Sequence, residues 1–232
     1  MTIAQAAELA ELNRILEGRV VDLKRFFSPQ VADLILSSGT EDPLKSHRRE
    51  VTVVFLDLRG FTAFAEASEP EEIIGVLHEY HAEMGKLIVA YEGTLEHFAG
   101  DGMMIFFNDP VPQPNHTERA LRMAVAMRGR AAELKARWNK LDYNLDFAAG
   151  IARGYATIGS IGFEGRWDYG LIGRVVNLAA RLCGEAKAGQ ILIPHRLHGQ
   201  VEELVEVEKV GELTLKGFQR PVTSFNVCGL KG

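Results

Sequence analysis

Residues 51–62, with the sequence VTVVFLDLRGFT, constrain the fold more than any other stretch of the chain. Five of the six residues 51–56 are apolar, which is typical of a strand buried on both faces. Asp57 follows this strand, and residues 60–62 then open a short helical segment whose backbone N–H groups point outward. A carboxylate beside such donors suits a metal-bound polyphosphate, because the acid binds the cation and the amides bind the anion. A solvated aspartate in a turn is the alternative, and this stretch alone does not decide between them.

The composition is that of one large globular domain. The chain has 232 residues, of which 47% are hydrophobic and 25% charged. A net charge of -5 argues against a nucleic-acid partner held through its phosphates. No apolar run approaches the ~18–20 residues that span a bilayer, and no signal peptide opens the chain, so we expect no membrane span and a cytoplasmic location. Cys183 and Cys228 form neither a disulfide framework nor a metal-ligand spacing, so we expect both to be reduced.

The pattern of residues 1–39 predicts an N-terminal helical segment for signalling or dimerisation. Within 3–27, apolar residues recur at alternating steps of three and four, as in a short coiled coil, and only Arg19 breaks the series; they are Leu9, Leu12, Leu16, Leu23 and Phe26. An amphipathic helix packed on its own domain explains the pattern equally well. A serine followed by a proline predicts a second helix over 29–37. The polar residues 40–49 then form a linker into one domain over 50–232.

Helical and strand patterns alternate after the opening strand. Apolar spacing predicts helices over 70–91 and 117–140, and strands over 94–98, 103–107 and 145–153. The order strand, helix, strand, strand, helix, strand is the split βαβ arrangement, so we predict an α+β fold with a ferredoxin-like βαββαβ core. Further C-terminal αβ elements follow, predicted as a strand over 155–161, a helix over 174–185 and a strand over 190–193.

This topology places a second acid beside the first. A right-handed crossover makes strands one and two parallel, with strand three between them and antiparallel to both. The glycine-rich hairpin 99–102, AGDG, then lands beside the end of strand one and brings Asp101 next to Asp57. Two carboxylates on a glycine-lined floor suit a pair of Mg²⁺ ions carrying a triphosphate, whereas without a metal they would repel each other.

Three blocks of this sequence resemble the class III nucleotidyl cyclase catalytic domain of bacterial type, also called the adenylyl/guanylyl cyclase homology domain. They are FLDLRGFT at 55–62, FAGDGMMIF at 98–106 and IGRVVNLAAR at 172–181, in the order and spacing of that family. The similarity runs over 48–227. It implies that the 3′-hydroxyl of a nucleoside triphosphate attacks its own α-phosphorus, which yields a 3′,5′-cyclic nucleotide and pyrophosphate. Diguanylate cyclases share the sheet and the acids but carry a different hairpin motif.

The resemblance implies roles for individual residues. Asp57, Asp101 and the backbone of Leu58 would hold two Mg²⁺ or Mn²⁺ ions. Asn177 and Arg181, one helical turn apart, would be catalytic, the first orienting the ribose and the second stabilising charge on the α-phosphate. The phosphate-binding residues would be Gly60, Phe61, Thr62, Arg166 and Lys216.

The resemblance also implies a homodimer with two composite active sites. In the family, the metal-binding acids come from one chain and the Asn–Arg pair from the other. The N-terminal helix of this chain would extend the pairing and relay a signal from an upstream sensor domain.

Purine recognition departs from both patterns of the family at His97 and Gly170. The adenylyl pattern has lysine at the first position and aspartate or threonine at the second, and the guanylyl pattern has glutamate and a small polar residue. His97 can donate to adenine N1, while the Gly170 carbonyl or a water accepts from the 6-amino group. Strand alternation predicts that the Glu96 side chain points away from His97.

We therefore predict an adenylate cyclase with relaxed purine selectivity, and several alternatives stay open. A guanylate or dual-specificity cyclase is one. A catalytically weak nucleotide-binding regulatory module is another, which would have lost turnover through His97 and Gly170. His97 could also be an ordinary half-buried strand histidine.

Overall fold

The computed structural model describes residues 27–37, 44–164 and 166–231, together with positions 5, 11, 12, 14 and 18. The chain forms two compact units, Met1–Leu44 and Lys45–Gly232. The first unit contains helix α1, Pro29–Ser37, at the position predicted for the second helix. The predicted coiled coil over 3–27 lies almost entirely outside the described residues.

The second unit is built on a mixed sheet whose described part has eight strands in the order β2-β3-β1-β4-β6-β8-β7, with β5 paired to β4. The strands are β1 His47–Arg59, β2 Thr94–Ala99, β3 Gly102–Phe107, β4 Asp146–Phe163, β5 Arg166–Ile172, β6 Ile191–Pro194, β7 Val205–Leu213 and β8 Val222–Leu230. β3 lies between β1 and β2 and is antiparallel to both. The predicted ferredoxin-like order of the first four strands is therefore confirmed.

Helices cover both faces of this sheet. They are α2 Phe61–Ala67, α3 Pro70–Ala90, α4 His116–Trp138, α5 Arg174–Glu185 and α6 His195–Val201. The main core packs α3 and α4 against one face, where Leu56 and Leu58 are buried. A smaller core lies under α5 on the other face and includes Ala148 and Leu182. Among the described residues, no helix has both the length and the apolar character needed to cross a bilayer.

Two strands extend well beyond their predicted bounds. β1 begins at His47, so its first residues lie in the segment predicted as a linker. β4 is one strand of 18 residues, whereas separate strands over 145–153 and 155–161 were predicted. Gly154 does not interrupt it, because this residue pairs with Val51 across the sheet. A Cβ added at Gly154 would lie 3.3 Å from Val175 of α5. The glycine therefore allows α5 to pack closely on β4 and does not mark a turn.

Strand alternation directs Asp57 towards α5. Its neighbours Leu56 and Leu58 point into the main core, so the Asp57 side chain points to the opposite face of β1. Across the sheet Asp57 pairs with Ala148, which belongs to the core under α5. The fold thus positions this carboxylate between the C-terminal end of β1 and the C-terminal half of α5.

Candidate active site

Two carboxylates meet at the C-terminal end of β1. The backbone N–H of Leu58 donates a hydrogen bond of 2.9 Å to Oδ2 of Asp101, which lies in the turn between β2 and β3. Burial raises the pKa of Asp101 to about 6, and the negative charge of the adjacent Asp57 adds to this effect. Two acids held this close repel each other when both are ionised, so the site favours a bound cation.

Arg59 ties this acidic pair to α5. Its guanidinium forms an ion pair with Asp57 and also donates to the backbone carbonyls of Cys183 and Ala186, the latter at 2.7 Å. These carbonyls belong to the last turn and the C-cap of α5, where backbone oxygens have no partner inside the helix. The Arg59 side chain therefore neutralises Asp57 and fixes the end of α5 with the same group.

Two buried side chains lie near the acids. The Tyr80 hydroxyl, on α3, is fully buried and has no hydrogen-bond partner in the described part of the chain. Burial, with a smaller contribution from the charge of Asp57, raises the pKa of the Cys183 thiol to about 12, so this thiol is neutral and inert. The cysteines in the described residues are free, as the sequence predicts.

The donor set is suited to Mg²⁺ or Mn²⁺ bound together with a polyphosphate. The described residues contain no cluster of three or more His, Cys, Asp or Glu side chains that could hold an ion by themselves. Asp57 and Asp101 supply hard carboxylate oxygens, and Leu58 adds a backbone carbonyl. Mg²⁺ is usually held by one or two carboxylates plus phosphate oxygens, which is the arrangement these residues allow.

The turn after β1 depends on a glycine. Gly60 has φ +88°, and a Cβ added there would lie 2.3 Å from the carbonyl oxygen of Asn144. Gly60 therefore caps the start of α2, whose first residues are Phe61 and Thr62. The Phe61 ring packs on the main core, so these residues can offer only backbone N–H groups, or the Thr62 hydroxyl, to a ligand.

Asn177 and Arg181 lie on the exposed face of α5. The opposite face of this helix is buried through Val175, Ala179, Leu182 and Cys183. No hydrogen bond or ion pair in the described residues joins Asn177 or Arg181 to Asp57 or Asp101. Within one chain, the Asn–Arg pair thus faces solvent and the acids form a separate group.

Gly150 of β4 sets the position of α5. A Cβ at this residue would lie 2.2 Å from the backbone nitrogen of Cys183 and 2.3 Å from the carbonyl oxygen of Ala179. The helix backbone therefore rests directly on the strand, at a distance that only glycine allows.

The two predicted basic phosphate ligands lie on exposed segments. Arg166 begins β5 at the tip of the β4–β5 hairpin and lies 3.6 Å from Asp168. Lys216 is exposed in the connection between β7 and β8. In the described residues, neither is joined to the Asp57–Asp101 pair by a hydrogen bond or ion pair.

The prediction for Glu96 is wrong. β2 has an irregular register at this residue, since Leu95 pairs with Ile105 and His97 with Met104. This bulge interrupts the alternation of side chains, and Glu96 Oε2 contacts His97 Nδ1 instead of pointing away. Gly170 of β5 is buried beside them, so the structure brings His97, Gly170 and Glu96 into one group.

A buried carboxylate that the sequence did not single out supports β5. Asp109 is 2% exposed and accepts hydrogen bonds from the Tyr169 hydroxyl and from His47 Nε2 at 2.7 Å. Arg49 Nε lies 3.2 Å from the same carboxylate. This network joins the start of β1 to the residue immediately before Gly170. An aspartate inside a proline-rich connector gives no sequence signal of burial.

The geometry agrees with comparisons to known proteins. Residues 44–229 match the family described as the adenylate and guanylate cyclase catalytic domain. The chain belongs to this family. It is 29% identical to adenylate cyclase 1 of Rhizobium meliloti (strain 1021), in an alignment that covers 98% of this chain and 35% of that protein. The match covers 35% of the length of that protein and 33% of the length of the adenylate cyclase of Anabaena cylindrica, so the chain spans about a third of these two curated relatives.

Solved cyclase structures of both nucleotide types resemble this domain. The adenylyl cyclase CyaB from P. aeruginosa is 37% identical with a TM-score of 0.78, and the match covers 81% of this chain and 98% of that one. The guanylyl cyclase Cya2 is 32% identical with a TM-score of 0.75, and the match covers 80% and 95% of the two chains. The chain is therefore a cyclase catalytic domain, and overall similarity does not separate the two substrates.

Proposed function

We propose that this domain converts ATP to 3′,5′-cyclic AMP and pyrophosphate at sites shared between two copies of the chain. The observation that carries the proposal is the pair Asp57 and Asp101, held together by the Leu58 N–H at the end of β1. Similarity to proteins named adenylate cyclase supports the reaction class.

The acidic pair and the Leu58 carbonyl would hold two Mg²⁺ or Mn²⁺ ions. When bound, such ions lower the pKa of the ribose 3′-hydroxyl and neutralise charge on the phosphates. The backbone N–H groups of Gly60, Phe61 and Thr62 would bind phosphate oxygens.

The partner chain would supply the other half of each site. Asn177 would orient the ribose so that its 3′-oxygen faces the α-phosphorus, and Arg181 would donate to the oxygens that gain charge during the attack. Lys216 and Arg166 would bind the outgoing phosphates. The exposed position of Asn177 and Arg181 on α5 supports this division, because both side chains are accessible to a second chain.

An apolar surface on the β4–β5 hairpin supports the homodimer. Phe163 is 69% exposed, Trp167 51% and Ile172 65%, and Ile161 is exposed beside them. Several exposed large apolar side chains on one hairpin are typical of a protein–protein contact. A second copy of this chain is the partner that would also complete the active site.

ATP is the favoured substrate because His97 can donate to adenine N1. GTP is the second candidate, since the guanylyl cyclase Cya2 shares this fold at 32% identity. The N-terminal segment 1–39 would assist dimerisation and relay signals from an upstream domain, and we place the whole domain in the cytoplasm.

A product assay tests this proposal. Purified protein is incubated with ATP or GTP and with Mg²⁺ or Mn²⁺ between about pH 6 and 9, a range that includes the ordinary histidine pKa, and both cyclic nucleotides are quantified. Cyclic AMP as the main product supports the proposal, and its absence with Mn²⁺ would overturn it. Asp101→Ala should abolish all metal-dependent product. A regulatory module would have no such activity to lose.

A further inference from the structure

The side chain of Glu96 occupies an unusual position for a strand residue. The bulge in β2 leaves Glu96 without a cross-strand partner between the pairs Leu95–Ile105 and His97–Met104. Its side chain is 17% exposed, whereas that of its neighbour His97 is 52% exposed. One carboxylate oxygen of Glu96 contacts His97 Nδ1.

The other carboxylate oxygen lies against Gly170. A Cβ added at Gly170 would be 2.9 Å from Glu96 Oε1 and 3.0 Å from Ile161 Cδ1. The Glu96 carboxylate therefore fills the volume that a side chain on residue 170 would need. Since glycine offers no side-chain acceptor there, Glu96 supplies an acceptor to the same region from the neighbouring strand.

We infer that Glu96 is a purine-selectivity residue that accepts a hydrogen bond from the 6-amino group of adenine. An ionised carboxylate only accepts hydrogen bonds, so it attracts the 6-amino group of adenine and repels the 6-oxo group of guanine. This inference rests on the proposed function. In it, the Glu96 carboxylate takes the place of the Gly170 carbonyl as the acceptor at this edge of the base. His97 contacts Glu96 through Nδ1, so its Nε2 would be the atom that meets N1 of the purine.

The position of Glu96 also explains why residue 170 is glycine. Any larger residue would displace the carboxylate from its place beside His97. The two positions are therefore coupled, and a polar side chain at 170 is compatible with the site only when Glu96 is shortened.

Three variants test the inference: Glu96→Ala, Gly170→Ala and the double variant Glu96→Ala/Gly170→Asp. The measured quantity is the ratio of kcat/KM for ATP to kcat/KM for GTP. Glu96→Ala should lower this ratio about tenfold or more, the effect of one lost hydrogen bond to a charged acceptor. Gly170→Ala should lower it as well, because the new Cβ displaces the carboxylate and brings no acceptor of its own. The double variant should recover part of the ratio, because the aspartate carboxylate fills the vacated volume and can only accept hydrogen bonds.

A binding measurement separates recognition from turnover. Calorimetry with 3′-deoxy-ATP and 3′-deoxy-GTP, which lack the attacking hydroxyl, should show the same change in the affinity ratio. Glu133→Ala on α4, whose side chain is 64% exposed, is the control and should leave the ratio unchanged. Equal losses for both nucleotides in Glu96→Ala would indicate a structural role and overturn the inference, as would a double variant no more selective than Glu96→Ala.

The remaining outcomes distinguish this inference from the proposed function. A wild-type protein that cyclises ATP, with an unchanged ratio in Glu96→Ala, would overturn the role of Glu96 alone. A wild-type preference for GTP that Glu96→Ala weakens would overturn the assignment to adenine. A wild-type protein that makes neither cyclic nucleotide would overturn the proposed function, and the inference with it.

Discussion

The backbone N–H of Leu58 donates a hydrogen bond of 2.9 Å to Asp101, so the strand that carries Asp57 also fixes the second acid. The pair is thus assembled by the fold itself. Burial and the neighbouring charge of Asp57 both disfavour ionisation of Asp101. Holding the two acids together therefore lowers the free energy of unfolding of the metal-free protein. A bound divalent cation removes this cost.

Asp101→Asn should therefore make the metal-free protein more stable while abolishing its response to metal. The pKa of Asp101 is raised to about 6 in the folded protein, so stability falls as pH rises from the ordinary aspartate value through about 6, and stays lower above it. At about pH 8 we expect a gain of roughly 1 kcal/mol, equivalent to a few degrees in Tm. Mn²⁺ with ATP should raise the Tm of the wild type only.

Glu133→Gln on the exposed face of α4 is the matched control. It also removes one carboxylate charge, but far from the acidic pair, so its Tm and its metal response should match the wild type. An Asp101→Asn protein that is less stable than the wild type at this pH would show that the two carboxylates do not oppose each other.

Two inactive variants should complement each other if the sites are composite. Asp101→Ala removes an acid from one half-site, and Asn177→Ala removes the ribose-orienting group from the other. In an equal mixture, half of the dimers combine one chain of each kind and contain one intact site, so we expect about a quarter of wild-type activity. Each variant alone should be inactive. A mixture as inactive as its components would mean that each site is built within one chain.

The sheet order and the meeting of the two acids could be predicted because both follow from simple rules. Helical and strand periodicity gave the βαββαβ order, and the handedness of the crossover then placed the β2–β3 hairpin beside the end of β1. Neither step requires knowledge of where an individual side chain points.

The contacts of Arg59 and Glu96 could not be predicted, because each depends on a local departure from regular geometry. Glu96 turns towards His97 only because β2 has a bulge, and no residue near it signals an interrupted register. Arg59 binds carbonyls that become accessible where α5 ends, which depends on how closely that helix approaches Gly150. The continuous β4 was missed as well, because Gly154 keeps its place in the strand by pairing with Val51 and allows α5 to pack closely.

Gly150→Ala should destabilise the domain and reduce its activity together. The added methyl group would lie 2.2 Å from the backbone of Cys183, so α5 must move away from β4. We expect a loss of about 1–3 kcal/mol in the free energy of unfolding, as for other overpacked sites, and a lower kcat because Asn177 and Arg181 move with the helix. Urea denaturation and the product assay measure the two effects.

Gly85→Ala is the matched control for that variant. Gly85 lies inside α3 with no neighbouring atom within 4 Å of an added Cβ, so alanine should stabilise the helix by about 0.5–1 kcal/mol. Stabilisation by both substitutions would contradict the close contact between β4 and α5.

His47→Gln should reduce the pH dependence of stability. Partial burial and the nearby charge of Arg49 lower the pKa of His47. The hydrogen bond to Asp109, the charge of Asp109 and the hydrogen bond to the Lys45 carbonyl raise it. The second group of effects is larger, so the pKa of His47 is raised. The charged ring thus stabilises the fold fully below the ordinary value of about 6.5, and this contribution is lost as pH rises through the raised value. Because the ring is partly exposed and screened, we expect no more than about 0.5–1 kcal/mol.

Thermal unfolding from about pH 5 to 9 measures this effect as the difference between the wild type and His47→Gln. The difference should shrink with rising pH. A difference that grows with pH would mean that the neutral ring, and not the charged one, is the form bound to Asp109.

Arg59→Lys should lower kcat, and by more than a variant elsewhere in the chain that loses the same free energy of unfolding. Lysine retains a positive charge for Asp57, but its single ammonium group cannot also hold the carbonyls of Cys183 and Ala186 in the geometry of a guanidinium. The last turn of α5 then loses its donors, at an expected cost of about 1–3 kcal/mol.

Arg128→Lys provides the comparison, because Arg128 also donates to two backbone carbonyls, those of Val227 and Cys228, both at 2.6 Å on β8. We expect similar losses of stability for the two variants in urea denaturation. Only Arg59→Lys should lower kcat, since only Arg59 connects an acid of the metal pair to the helix that carries Asn177 and Arg181. Equal kcat values for the two variants would show that the end of α5 does not need Arg59 to position the reacting groups.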